Sequence, residues 1–97
     1  MKTLSNEEVA SSLEKDLKEW TFKENAIKRD FKFKTFVEAF SFMTSIALEV
    51  EKADHHPDWS NSYNKVSIAL STHSAEGVTK KDIELAGMID NTYKKYA

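Results

Sequence analysis

Two of the chain's three histidines are neighbours, His55 and His56, and the third is His73. Imidazole is the side chain whose ordinary pKa lets it both give and take a proton near neutrality, so histidines that converge on one pocket form a general acid–base device. The stretch from Glu51 to Tyr63 carries the adjacent pair together with the only proline, Pro57, and one of the two tryptophans, Trp59. Glu51 precedes His55 by one helical turn, so on a continuing helix it orients an imidazole and supports its protonated form. Trp59 and Tyr63 offer flat apolar walls to an aromatic ligand. Glu51, Asp54, His55, His56 and His73 are also candidate metal ligands. No HExxH is present, however, and neighbouring residues seldom bind one ion together, so acid–base chemistry is expected ahead of zinc. Asp82 already has a role in its place three residues after Thr79, as a helix-capping carboxylate. Spacing alone leaves open whether the histidines share a pocket or lie apart on exposed loops.

The elements that must position these residues read clearly. Ser5 followed by Glu8 is a capping box, and Val9, Leu13 and Leu17 give one apolar line, which predicts a helix from Ser5 to about Leu17. Trp20 and Phe22 alternate with polar residues, as do Ile27, Arg29, Phe31 and Phe33 after a short connection through Glu24, Asn25 and Ala26; this is a hairpin. Its lysines interleaved with phenylalanines can be read as a nucleic-acid stacking platform, but a half-buried strand explains the same period of two. Thr35 and Glu38 open a second helix to about Glu51 that is apolar on more sides than one sheet can cover. Either it is buried within the domain on several sides or its outer side meets another subunit, the second being at least as much expected in so short a chain. Pro57 stops any continuation of that helix, and a short strand is expected around Trp59 to Tyr63. Val66 to Thr72 reads as a strand that leaves Ser71 and His73 on its small, polar face. Thr79, with Asp82, caps a last helix to about Tyr96. The expected fold is α+β: a four-stranded antiparallel sheet with three helices packed on one face.

Composition narrows the function classes. Ninety-seven residues fit one domain spanning the whole chain, with 40% hydrophobic and 31% charged residues. The formal net charge is -2 with the signs well mixed, which gives no reason to expect nucleic acid or a membrane as partner. The chain has no cysteine, which removes disulfides, thiolate metal sites and a cysteine nucleophile. The first residues lack the apolar run of a signal peptide, so a cytoplasmic location is expected. A Gly-rich phosphate loop, a GxSxG elbow and a Ser-His-Asp order are absent.

The run Glu51-x3-His55-His56-Pro57-x5-Tyr63-x9-His73-x8-Asp82 resembles the signature of the pterin-4a-carbinolamine dehydratases, and the likeness extends from about Trp20 to Ile89. That resemblance implies loss of water from a 4a-hydroxytetrahydropterin to give quinonoid dihydropterin, in the recycling of tetrahydrobiopterin, without metal, cofactor or covalent intermediate. It implies His55 and His73 as the acid–base pair, His56 mainly holding the pterin, and Glu51 orienting a histidine. Asp82 would cap its helix and support the site from behind. Asp54, Pro57 and Trp59 would border the substrate, with Ser71 and Thr72 offering hydrogen bonds to the pterin amide edge. Members of that family assemble as dimers or tetramers, and some double as dimerisation cofactors of a transcription factor. A non-enzymatic protein-binding module on the same fold is therefore the alternative.

Overall fold

The computed structural model describes residues 2–96. Helix α1 (Asn6–Asp16) starts at the predicted capping box: Ser5 N–H donates to Glu8 Oε1 (2.8 Å) and Glu8 N–H to Ser5 Oγ (3.1 Å). Strands β1 (Thr21–Lys23) and β2 (Ala26–Lys32) are joined by Glu24 and Asn25, both left-handed (φ 54° and 63°). This is the paired geometry of a type I′ turn, whose twist matches that of the flanking strands. Helix α2 (Phe36–Ala53) is capped by Thr35 Oγ1, which accepts from Glu38 N–H. Glu38 returns one residue further back than a capping box requires, to Lys34 N–H. Strands β3 (Asp58–Ser62) and β4 (Lys65–Leu70) form a second hairpin, and helix α3 (Lys80–Tyr93) closes the fold.

The sheet is antiparallel throughout, in the order β1-β2-β4-β3. Register fixes which side chains go inward: Ile27 pairs with Leu70 and Phe31 with Val66, all of them buried. Val9 and Leu13 of α1, Phe42 and Ile46 of α2, and Leu85 and Ile89 of α3 join them in one core, so all three helices lie on one face of the sheet. The opposite face carries Lys28, Asp30, Ser67 and Ala69. Phe31 of β2 and Phe33 just after it are core residues, not a stacking platform: both are buried against Phe42 and Tyr93.

Arg29 shares the inward face of β2 yet carries a charge. Its guanidinium lies 2.8 Å from Asp90 Oδ1 and 4.6 Å from the centroid of the Phe31 ring, so both its charge and its flat face are matched. Trp20 Nε1–H donates to the same carboxylate oxygen at 2.9 Å. The outer side of α2 is different: Phe36, Val37, Phe40 and Leu48 are exposed large apolar residues.

Candidate active site

Three chain segments converge at one end of the sheet. The first is the end of α2. Asp54 turns left-handed (φ 51°), its N–H donates to Glu51 O, and His55 N–H donates to Val50 O, both at 3.2 Å. This pairing is a Schellman closure, and it pins His55 immediately past the helix. Pro57 follows, and β3 begins at Asp58.

The second segment leaves β4. Thr72 makes an antiparallel bridge to Gly77, and His73 to Ala75 form a single 3-10 turn between them, closed by left-handed Glu76. The N-terminal segment straps this loop down: Thr3 Oγ1 donates to Ala75 O (2.6 Å) and Leu4 N–H to Val78 O (2.8 Å). A Cβ at Gly77 would fall 2.8 Å from Thr3 Cγ2, so a larger residue there displaces the strap.

The third segment is the first turn of α3, where Asp82 is wholly buried. Asp82 Oδ2 accepts from Thr79 N–H (2.9 Å) and from the Thr72 hydroxyl (2.9 Å). The single Thr72 proton is thereby used, so the Thr79 hydroxyl is the donor in the 2.7 Å contact between the two threonines. Asp82 Oδ1 lies 2.5 Å from His55 Nε2, and the His55 side chain is only 11% exposed. With Asp82 as a carboxylate, Nε2 carries the imidazole proton and Nδ1 is left as an acceptor. One buried oxygen pair thus caps α3, ties it to the end of β4 and fixes the ring of His55.

Between these segments lies a cleft of about 390 Å³, lined by residues 54 to 58, by residues 71 to 74 and by Lys81. His55, His56 and His73 all border it, and so do Asp54, Pro57, Ser71 and Thr72. Asp82 stands behind the cleft and reaches it through His55 and Thr72. Among the described residues, no three His, Asp or Glu side chains gather closely enough to hold one metal ion.

Several sequence expectations need correction. Glu51 pairs with His56, not His55: its Oε1 is 3.0 Å from His56 Nε2, because the left-handed turn at Asp54 ends the helical spacing before His55 is reached. His73 lies in the 3-10 turn rather than on the polar face of a strand, since β4 ends at Leu70; its side chain is 79% exposed, with Nε2 3.8 Å from Asp58 Oδ2. Trp59 does not border the cleft. It pairs with Ile68, so it shares that residue's helix-covered face and packs against the core. Tyr63 sits in the turn after β3, roughly 16 Å of strand from Asp58 at about 3.3 Å per residue, and is exposed there. The Thr72 hydroxyl is engaged by Asp82 and has no proton left for a ligand.

Three cleft residues were missed: Asp58, Ser74 and Lys81. Asp58 and Ser74 each directly follow or adjoin a residue already singled out. Lys81, next to Asp82, reads in the sequence as an ordinary solvated cation.

The profile of the family described as pterin 4 alpha carbinolamine dehydratase matches residues 2–92. The chain belongs to that family. A protein of Prochlorococcus marinus (strain NATL2A), named "Putative pterin-4-alpha-carbinolamine dehydratase", is 55% identical over 71 residues, covering 73% of this chain and 75% of the relative. A protein of the same name from Christiangramia forsetii is 46% identical over 91 residues, covering 94% and 93% of the two chains. The crystal structure of a transcriptional coactivator/pterin dehydratase from Brucella melitensis superposes with a TM-score of 0.90 at 42% identity, covering 94% of this chain and 98% of that one. A pterin dehydratase-like protein described as a RuBisCO assembly factor in the alpha-carboxysome shares the fold, with a TM-score of 0.65 at 17% identity over 76% of this chain and 86% of that one. The four-stranded antiparallel sheet and its three helices are therefore the fold of this dehydratase family. Among the described residues no helix is long and apolar enough to cross a membrane.

Proposed function

We propose that this protein is a dehydratase that eliminates water from 4a-hydroxytetrahydropterin to give quinonoid dihydropterin, serving tetrahydrobiopterin recycling. The observation that carries the reading is the meeting of His55, His56 and His73 around one cleft, with His55 tied to the buried Asp82 carboxylate. Membership of the family supplies the substrate class. In the reaction the N5–H proton leaves, the N5=C4a bond forms, and the C4a–O bond breaks. The hydroxyl is a poor leaving group until it receives a proton, so one base and one acid suffice.

His55 suits the base. Its Nε2–H is held by Asp82, its Nδ1 is free to accept, and the imidazolium that results lies against a carboxylate. His73 suits the acid. It stands exposed at the cleft edge beside Asp58, where it recovers its proton from solvent after delivering one to the departing hydroxyl. Water leaves, and the proton that His55 gained returns to solvent, so the cycle is balanced. His56, braced by Glu51, grips the pterin, and Asp54, Pro57 and Ser71 border it. Chemically generated 4a-hydroxytetrahydropterin tests the reading: its dehydration should run at least tenfold above the spontaneous rate with catalytic amounts of protein. Equality with the spontaneous rate rejects it.

The exposed apolar side of α2 favours a role in protein contact as well, and we read it as the surface of a homodimer or homotetramer. Val37 is 70% exposed and Leu48 65%, a poor arrangement for a helix face that stays in water. Replacing both, Val37→Glu with Leu48→Glu, should lower the mass measured by sedimentation to that of one chain. An unchanged mass removes this face from the assembly. A non-enzymatic binding module, including one for a transcription factor, would use the same surface and leave the histidine cleft idle.

A further inference from the structure

Helices α1 and α2 begin at exposed hydroxyls, Ser5 and Thr35, each of which accepts from an N–H of its own first turn. The start of α3 is different. Thr79 is wholly buried, and its hydroxyl meets a residue of another segment, Thr72, just past the end of β4. A cap at the surface needs only its oxygen, whereas a buried hydroxyl must also find a use for its proton.

That use follows from the direction of the hydrogen bonds. Asp82 Oδ2 accepts, so the Thr72 proton goes to it and the Thr79 proton goes to Thr72. The chain from Thr79 through Thr72 and Asp82 to His55 thus starts at a hydroxyl outside the cleft lining and ends at a ring that borders the cleft. Bonds linked in this way strengthen one another. Among the described residues, His55 is the only ion-pair partner of the buried Asp82 carboxylate, so hydrogen bonds must stabilise the rest of its charge. Two donors on Oδ2, the Thr72 hydroxyl and Thr79 N–H, also fix the rotation of the carboxylate and hence the direction in which Oδ1 meets Nε2. That contact decides which ring nitrogen carries the proton. An Oδ1 that swings away lets His55 place its proton on Nδ1, and a protonated Nδ1 takes nothing from a substrate.

We propose that the Thr79 hydroxyl is a positioning residue for dehydration: acting through Thr72 and Asp82, it holds the His55 proton on Nε2 and keeps Nδ1 open as the acceptor. The inference rests on the dehydratase reading above and deepens it, because it extends the machinery beyond the residues that line the cleft. The hydroxyl and the packing of Thr79 can be separated. Valine keeps the shape of threonine without the hydroxyl, and serine keeps the hydroxyl without the methyl group. Glycine removes both and is still a serviceable helix cap.

The test reads kcat and KM for dehydration of chemically generated 4a-hydroxytetrahydropterin, together with the nitrogen NMR shifts of the His55 ring, which report its tautomer without substrate. In the wild type the ring should be protonated at Nε2. Thr79→Val should mix the two tautomers and lower kcat about tenfold, with KM within about twofold, as for a general base held in the wrong state rather than a lost substrate contact. Thr79→Ser should recover both readouts. Thr79→Gly carries the same expectation as the valine variant and replaces it if valine at this cap prevents folding. Equal losses in the serine and valine variants would assign the effect to packing and overturn the proposal. Wild-type tautomer and kcat in the hydroxyl-free variants would overturn it as well. A wild type that does not accelerate dehydration rejects the dehydratase reading and the catalytic role with it, whereas an unmoved tautomer in variants of an active protein rejects the role of Thr79 alone.

Discussion

His55 is 11% exposed with its Nε2 2.5 Å from a carboxylate that solvent does not reach, whereas His73 is 79% exposed and meets only Asp58, at 3.8 Å. The two rings border one cleft, yet one is part of the folded interior and the other projects from a surface turn. The contrast is instructive because both are read as proton carriers. A base whose charged form must be stabilised gains from a fixed, buried counter-charge and a fixed tautomer. An acid that must be recharged from water in every turnover gains from exposure. The same contrast divides the cost of losing each ring. Removing a member of a buried, hydrogen-bonded set leaves uncompensated polar groups, while removing an exposed side chain leaves almost nothing behind.

The largest effect is therefore expected at the buried end. Asp82→Ala removes the acceptor shared by His55, Thr72 and Thr79, and should lower the unfolding free energy by about 3 kcal/mol in denaturant titrations. Dehydration should fall by about 100-fold with it, as expected for a misplaced general base. A wild-type midpoint would mean that the buried carboxylate holds nothing together. The exposed ring should behave in the opposite way. His73→Ala is expected to slow dehydration at least tenfold, about 1.4 kcal/mol of transition-state stabilisation. Its unfolding free energy should stay within about 0.5 kcal/mol of wild type. Loss of stability there, without loss of rate, would reverse the assignment of the two ends.

Glu51→Gln sharpens the comparison further, because its pair with His56 is short but open to solvent on both sides. Exposed pairs contribute little, so stability should change by less than about 0.5 kcal/mol. Only a modest rise in KM for the pterin is expected. The smallest effect lies away from the cleft altogether. The Ser5 backbone N–H, then the Ser5 hydroxyl, hold the Glu8 carboxyl below its ordinary 4.5. A depressed folded-state pKa stabilises the fold above the unfolded value and ceases to do so as pH falls through the folded one. The stability difference between wild type and Glu8→Gln should thus be present at neutral pH and disappear in acid. A difference that grows on acidification would contradict the capping geometry.

Most of the frame was legible in the chain because it depends on local chemistry. The Ser5 and Thr35 caps and the alternation of β2 need only neighbours in sequence. Two of the errors lie where pairing between segments decides, and the third lies in a local turn. His73 left its predicted strand face because Thr72 bridges to Gly77 under a strap made by Thr3 and Leu4, some seventy residues away. Trp59 turned inward because the register of β3 against β4 sets it opposite Ile68. Glu51 missed His55 because a left-handed aspartate, which no helical periodicity announces, intervenes. Asp82 was visible as a cap and as a supporting residue, but its grip on His55 could not be read from a separation of 27 residues.

The most direct test of paired histidine proton transfer keeps the interior intact while deleting its chemistry. Glutamine at position 55 still offers an N–H to Asp82 but cannot carry a proton between states, so His55→Gln combined with His73→Ala isolates the function from the scaffold. The rate of 4a-hydroxytetrahydropterin dehydration by this double variant, measured beside wild type at equal folded concentration, should collapse to the spontaneous rate. A folded double variant that retained the wild-type acceleration would contradict the account.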